Sequence, residues 1–432
     1  MKSNVKLSTR FLTAQGAHQV RMLVSVKGEA PPDRPPINLS LVLDRSGSMG
    51  GTPLDEAKRA AARLAGYLGD GDRLAVVVFD ERVDTIFGPD AADGEAARHA
   101  IEQVYPGGTT NLSGGWLEGR THVQSGLVDG TNRVVLLTDG QANVGITEPG
   151  RLAELARGAQ QERVSTTCIG FGPHFNEDLL RAMSDAGTGN FWYIESEDQM
   201  TSVFDEEIEG LVSLAAQNLK VTVRLSDPRV QGVTFVQDYP LDRTASGDWV
   251  TSVGDLYGTA GRALGLVFHV ENVEQLGAVR LGEVEVAADV LTAEGVEHRV
   301  LTMPVVANLD EADHVEPEVE STLVRFEAAK ARREAVERAD RGDFDAAAST
   351  LHAAAMALTP FAATPDVQDE VDDLKAEALR MEAHDYDAEV DRKYHMARGM
   401  AARDMKQAYM DKIARQKRAP EDAHGRRKKK EE

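Results

Sequence analysis

The chain of 432 residues has a single cysteine, Cys168, in the apolar run VSTTCIG. No intrachain disulfide can form, which points to a reducing compartment, and Cys168 itself reads as a small buried core residue. No apolar run is long enough to span a bilayer. The opening residues, MKSNVKLSTRFLT, lack the apolar stretch of a signal peptide. The expected location is therefore cytoplasmic, away from any membrane. Signatures of common enzymes are missing too: there is no GxxxxGK(S/T), no GxSxG, no HExxH and no DxD at a strand end. The histidines are scattered, and none has metal-ligand spacing to another. Positive charge is short, with 48 Lys and Arg against 71 Asp and Glu, a formal net charge of -23. Such a chain repels nucleic acid and anionic membranes. The basic run RRKKK at 426–430 reads as part of a solvated tail, and nucleic acid is not an expected partner.

What is present is ample apolar material, 42% of residues, spread over a chain too long for one ordinary core. Five regions separate. Residues 1–36 hold two strand-like runs and a Pro-rich connector, EAPPDRPPIN. Residues 37–212 alternate short apolar strands with helical stretches. NLSLVLD, RLAVVVF, RVVLLTD, VSTTCIG and NFWYI read as near-continuous apolar runs, the pattern of strands buried on both faces. Alternation of this kind predicts an α/β fold with a doubly wound, mostly parallel sheet. Residues 213–310 alternate in twos and predict a β-sandwich that the two N-terminal runs join, with the parallel-sheet unit inserted in it or followed by it. Residues 311–416 are helical, with a hairpin broken at Arg341-Gly342-Asp343. A heptad-like seam, Val367, Val371, Leu374, Ala378 and Met381, is read first as intramolecular core. Residues 417–432 form the basic tail. The aromatic run FWYI (191–194) is read as core. Trp116 could either flank the site described next or anchor its helix to the sheet.

The stretch LVLDRSGSM (41–49) ends a buried strand in a carboxylate and two hydroxyls. In an open parallel sheet, ligands bind beyond the carboxyl ends of the strands. Asp44, Ser46 and Ser48 sit at such an end. The Gly-rich GGTTNLSGG (107–115) presents Thr109 and Thr110, and LLTDGQAN (136–143) ends its strand with Asp139. Two carboxylates and three hydroxyls without His or Cys select a hard cation, Mg²⁺, Mn²⁺ or Ca²⁺. Two carboxylates only just neutralise a divalent ion, so a coordination position is left that suits a carboxylate from outside. DxSxS alone is a weak signal, because Asp and Ser also cap turns and helices.

The pattern resembles the von Willebrand factor A (VWA) family and its metal-ion-dependent adhesion site, D-x-S-x-S followed by a distant Thr and a distant Asp. On this chain those positions are Asp44, Ser46, Ser48, Thr110 and Asp139, all without substitution. Thr110 is preferred to Thr109 because NLSGGW after it aligns better with the family's loop. The resemblance covers Ile37–Val212, somewhat under half of the chain; the flanking β and helical regions resemble the wider architecture of bacterial VWA proteins without comparably sharp motifs, and the chain looks like a bacterial intracellular member. It implies a Rossmann-like fold and a metal-dependent protein-interaction module without catalytic residues. It also implies Mg²⁺ (or Mn²⁺ or Ca²⁺) as the cofactor, and a protein ligand with an exposed Asp or Glu. By analogy it implies adaptor work beside an AAA+ ATPase, and a last helix, Asp198–Leu214, that can shift and signal to the β module. The competing expectation is a phosphoryl-transfer or hydrolytic enzyme using the same metal.

Overall fold

Strands that are apolar on both faces must be covered on both faces, and this places them in the middle of a sheet. A computed structural model describes residues 1–13, 17–196, 199–258, 261–271, 277–310, 312–387 and 391–405. The N-terminal half runs β1 (Lys2–Thr13), β2 (Ala17–Lys27), β3 (Ile37–Asp44), α1 (Thr52–Tyr67), β4 (Arg73–Phe79), β5 (Val83–Ala91), α2 (Gly94–Glu102), α3 (Leu112–Ser125), β6 (Thr131–Thr138), α4 (Pro149–Gln161), β7 (Ser165–Phe171), α5 (Glu177–Ala186), β8 (Thr188–Ile194) and α6 (Met200–Val212). There follow β9 (Leu214–Leu225), β10 (Val230–Phe235), β11 (Leu241–Arg243), β12 (Trp249–Tyr257), β13 (Arg262–Val270), β14 (Gly277–Thr292) and β15 (Gly295–Leu309). The described chain ends in α7 (Pro317–Ala339), α8 (Phe344–Leu358), α9 (Pro365–Glu382) and α10 (Asp391–Arg403).

Six strands form the first sheet in the order β5-β4-β3-β6-β7-β8. All neighbours are parallel except β5, which closes one edge antiparallel to β4. Every residue of β3 and β6 is buried. The order reverses between these two strands: from β3 the chain continues outward to β4, and from β6 it continues to the other side. Their carboxyl ends therefore open a crevice at a topological switch point. Phe191–Ile194 are core residues of β8. Trp116 is fully buried, and its indole N–H donates to Thr166 Oγ1 at 3.2 Å, so it anchors α3 to the sheet. Cys168 is buried in the same core, and burial pushes its thiol well above the ordinary range.

Two antiparallel sheets, β1-β2-β13-β10 and β11-β12-β9-β14-β15, lie in chain order on both sides of the α/β unit. Val20, Met22 and Val24 of β2 share one core with Phe268 of β13, Val221 of β9 and Val284 of β14, so the sheets face each other as a sandwich. Short β11 was not expected from the sequence. In the helical region, Gly342 turns the hairpin with φ +81°, and Asp343 caps α8 by accepting from Ala346 N at 3.2 Å. The heptad-like seam of α9 packs on Leu351, Ala355 and Leu358 of α8 as plain core. Helix α10 departs from the expected single helical region, because its Tyr394, Ala397, Met400 and Ala401 enter the core of the α/β unit. Residues 406–416 and the tail 417–432 lie outside the described residues. Among the described residues, no helix is long and apolar enough to cross a membrane.

Helix α6 is held by a buried carboxylate. Glu207 is fully buried and accepts from Arg133 Nη1 (3.1 Å), Thr167 Oγ1 (2.8 Å), Asn190 Nδ2 (2.7 Å) and Trp192 Nε1 (2.8 Å). Arg133 also pairs with Asp255 of β12, which ties the α/β unit to the sandwich. Burial raises the cost of ionising Glu207, but Arg133 and the three neutral donors outweigh it and hold the carboxyl below its usual range.

Candidate metal centre

Each residue in question stands where a strand ends at the crevice. Asp44 is the last residue of β3, and Asp139 directly follows β6. Chain geometry brings them together with the serines of the intervening turn. Ser46 N–H donates to Asp44 Oδ1 at 2.7 Å, Ser46 Oγ lies 3.2 Å from Ser48 Oγ, and Ser48 Oγ donates to Asp139 Oδ1 at 2.8 Å. Neither Asp44 nor Ser46 caps α1, whose N-cap is Gly51 without a side-chain bond. Thr110 enters from the loop before α3. A Cβ placed on Gly140 would lie 3.2 Å from Thr110 Oγ1 and 3.9 Å from Asp44 Oδ2. Those oxygens thus face one small space, left open because residue 140 has no side chain. Asp44, Ser46 and Thr110 are buried, Asp139 is 8% exposed, and Ser48 is exposed, so the cluster has a wet mouth on the Ser48 side. Thr109 points elsewhere: it is exposed, and its backbone N–H donates to Glu81 at 3.2 Å.

The loop carrying Thr110 is fastened to the DxSxS turn by backbone bonds, Gly107 N to Arg45 O at 2.7 Å and Gly47 N to Gly108 O at 2.9 Å. A Cβ at Gly107 would fall 1.7 Å from Asp80 Oδ2, so a side chain there would displace the carboxylate that engages Arg45. On its other side, Thr110 N–H donates to Asn143 Oδ1 at 2.9 Å, and the N–H groups of Asn143 and Val144 return to Thr110 O at 3.2 and 3.3 Å. Three separate loops are therefore locked into one frame.

The electrostatics are unusual for a structural cluster. Buried carboxylates are normally paired with a cation, yet among the described residues no Lys or Arg pairs with Asp44 or Asp139. Arg45, the nearest cation in the chain, is engaged by Asp80 (3.1 Å) and Asp84 (2.5 Å). Burial pushes the Asp44 carboxyl up to about 6, against the hydrogen bonds from Thr138 and Ser46, and the Asp139 charge adds to the rise. Burial also raises Asp139, with Ser48 and the His174 imidazole acting in the opposite direction. A divalent cation would relieve both groups, so the donor set fits a hard metal ion by charge as well as by oxygen chemistry. Among the described residues, no group of three or more His, Cys, Asp or Glu gathers for a metal, so hydroxyls must complete any such shell.

Sequence reasoning missed two members of the frame. Thr138, the residue before Asp139, donates its hydroxyl to Asp44 Oδ2 at 2.5 Å and orients that carboxylate. Its signal was its place at the end of β6, where a hydroxyl breaks an apolar run. Asn143 had no signal beyond its nearness to Asp139. The geometry at Gly140 gives a sharp test. This glycine is outside the left-handed region, so a side chain there acts by volume alone. Gly140→Val is expected to push Thr110 aside and weaken Mn²⁺ binding about tenfold or more, with Gly140→Ala intermediate, as read by calorimetric titration.

A model of the von Willebrand factor type A domain family matches residues 38–206. The chain is similar to an uncharacterized protein of Synechocystis sp., 29% identical over 279 residues that cover 63% of this chain and 66% of the relative. It is also similar to inter-alpha-trypsin inhibitor heavy chain H1 of Homo sapiens, 28% identical over 212 residues that cover 47% of this chain and 23% of the relative. The chain thus spans less than two thirds of the length of either relative. Among solved structures, von Willebrand factor type A from Catenulispora acidiphila superposes with a TM-score of 0.65 at 17% identity, over 85% of this chain and 88% of that one. The ArnB paralog VWA2 from Sulfolobus acidocaldarius gives 0.60 at 15% identity, over 89% and 97%. At these identities the likeness is one of fold, and it extends beyond the parallel sheet. Residues 38–206, which the family model matches, thus have the α/β fold of a von Willebrand factor type A domain.

Proposed function

We propose that this chain captures a partner protein through a metal ion. Asp44, Ser46, Ser48, Thr110 and Asp139 hold a divalent cation, Mg²⁺ in a reducing cytoplasm and Mn²⁺ or Ca²⁺ as substitutes. An Asp or Glu of the partner then completes the coordination from the open Ser48 side. The observation that carries this reading is Asp44: a fully buried carboxylate beside a second one, with hydroxyl neighbours and, among the described residues, without a paired cationic side chain. An adaptor role in an intracellular assembly, by analogy beside an AAA+ ATPase, belongs to the same proposal. It rests on the resemblance and on the lone Cys168.

Affinity capture from native lysate tests it, comparing wild type in Mg²⁺ with wild type in EDTA and with Asp44→Ala. The expected partner is lost in both controls, and its binding, reproduced with purified proteins, disappears when one of its exposed Asp or Glu residues is replaced. A partner retained in both controls would move recognition to the sandwich or helices. Hydrolysis of a generic phosphate ester, abolished by Asp44→Ala, would replace capture with catalysis.

A further inference from the structure

The metal site and the far C-terminal helix are joined by a short loop. β7 pairs with β6 as far as Gly170 opposite Thr138, so the residues after β7 emerge beside Asp139. In that loop, His174 is exposed and acts electrostatically on Asp139, favouring its charged form. The next residue, Phe175, is buried, with its ring centroid 6.3 Å from Phe191 and 5.9 Å from Tyr193. Asn176 then caps α5, accepting from Leu179 N at 3.0 Å, and Glu177 opens the helix. The short run from β7 to the first turn of α5 thus lies beside Asp139, with His174 within electrostatic reach of it.

The start of α10 grips this run. Lys393 Nζ lies 5.1 Å from the centroid of the Phe175 ring and 3.1 Å from Glu177 Oε2. Arg392 pairs with Glu177 and with Asp178 at 2.9 Å, and it reaches Asp340 at the end of α7 at 3.0 Å. Lys393 and Glu177 are both nearly inaccessible to solvent, so their pairing is scarcely screened. α6 offers no comparable route. Its Glu207 is bonded to three strands at once, and any slide of that helix would strand a buried charge.

We propose that Arg392 and Lys393 are positioning residues for the metal site. They hold the β7–α5 loop as one wall of it, so loading of the site and seating of α10 strengthen each other. This rests on the reading of the site as a cation site. It assigns communication with the helical region to α10, a different route from the one through α6 to the β module that the family resemblance implied. The coupling is reciprocal by thermodynamic necessity: what α10 does for the metal, the metal does for α10.

The test uses the full chain, Mn²⁺ alone as the probe, and hydrogen exchange alongside affinity. In wild type, Mn²⁺ is expected to slow amide exchange both in residues 172–176 and in α10. Arg392→Ala/Lys393→Ala is expected to lower Mn²⁺ affinity about fivefold to tenfold and to abolish the protection in α10, whereas Lys393→Arg keeps both. A merely structural role for these residues would not make α10 respond to the metal. Mn²⁺ binding to wild type with no change of exchange in α10 overturns the coupling and leaves the cation site standing. Unchanged Mn²⁺ affinity in the double variant does the same. Failure of wild type to bind Mn²⁺ would instead overturn the cation site itself, and the coupling with it.

Discussion

Asp44→Asn is expected to stabilise the metal-free protein and, in the same stroke, to abolish its response to Mg²⁺. The Asp44 carboxyl moves from an ordinary 3.8 to about 6 on folding because burial disfavours its charge. A group raised in this way stabilises the fold only while protonated. Its contribution is fully present below pH 4 and is lost as pH rises through about 6. At pH 7.5 the metal-free protein therefore carries a penalty on the order of 3 kcal/mol. Asparagine keeps the shape, can still accept from Ser46 N–H, and can donate to Thr138 Oγ1, so much of that penalty should disappear. Urea unfolding in EDTA checks this, with a gain of about 2 kcal/mol expected at pH 7.5 and none at pH 4. Mg²⁺ at a hundred times its dissociation constant should add about 2.7 kcal/mol to wild type and nothing to the variant. Metal affinity should also fall steeply below pH 6, where a proton competes for Asp44.

Glu207→Ala has the opposite character, damaging the fold without touching the site. The substitution removes an acceptor of the Trp192 indole, of Asn190 and of Thr167, and it takes one of two carboxylates from Arg133, which keeps Asp255 and the Ser165 hydroxyl in a fully buried setting. Breaking a buried pair from one side costs about 3–5 kcal/mol, so chemical unfolding should shift by that much. Glu207→Gln, which keeps the acceptor oxygen, should lose less. Near-wild-type stability of Glu207→Ala would show that this network does not hold α6.

The contrast between these positions follows what a sequence can reveal. Asp44 was legible because the signal was local: an apolar run ending in Asp, with hydroxyls at alternate positions and a Gly-rich turn. β3 and β6 were legible for the same reason, since residues buried on both faces give runs that no other context needs. The five site positions could be grouped because each sits where a strand or loop ends at one sheet edge. The frame around them was less visible. Thr138 looks like any residue at the end of a strand until its hydroxyl is seen on Asp44. Arg133, Glu207 and Asp255 are far apart in the chain, and no periodicity links them. Helix α10 was the largest surprise for a physical reason. DRKYHMARGMAAR is rich in charge, yet its Lys393, Arg398 and Arg403 are buried because Glu177, Glu370 and Asp185 receive them. Hydropathy counts those charges as exposed, and only the fold supplies their partners.

These features describe an α/β platform with an open, acidic cluster at its switch point, proposed here to cradle a metal ion and to be coupled to a helix from the chain's far end. The most direct measurement is a Mn²⁺ titration at pH 7.5, following free Mn²⁺ by electron paramagnetic resonance, for wild type, Asp44→Ala and Asp139→Ala. The account predicts one saturable ion per wild-type chain, lost in both variants. An ion retained in both variants, or no saturable binding to wild type, would contradict it.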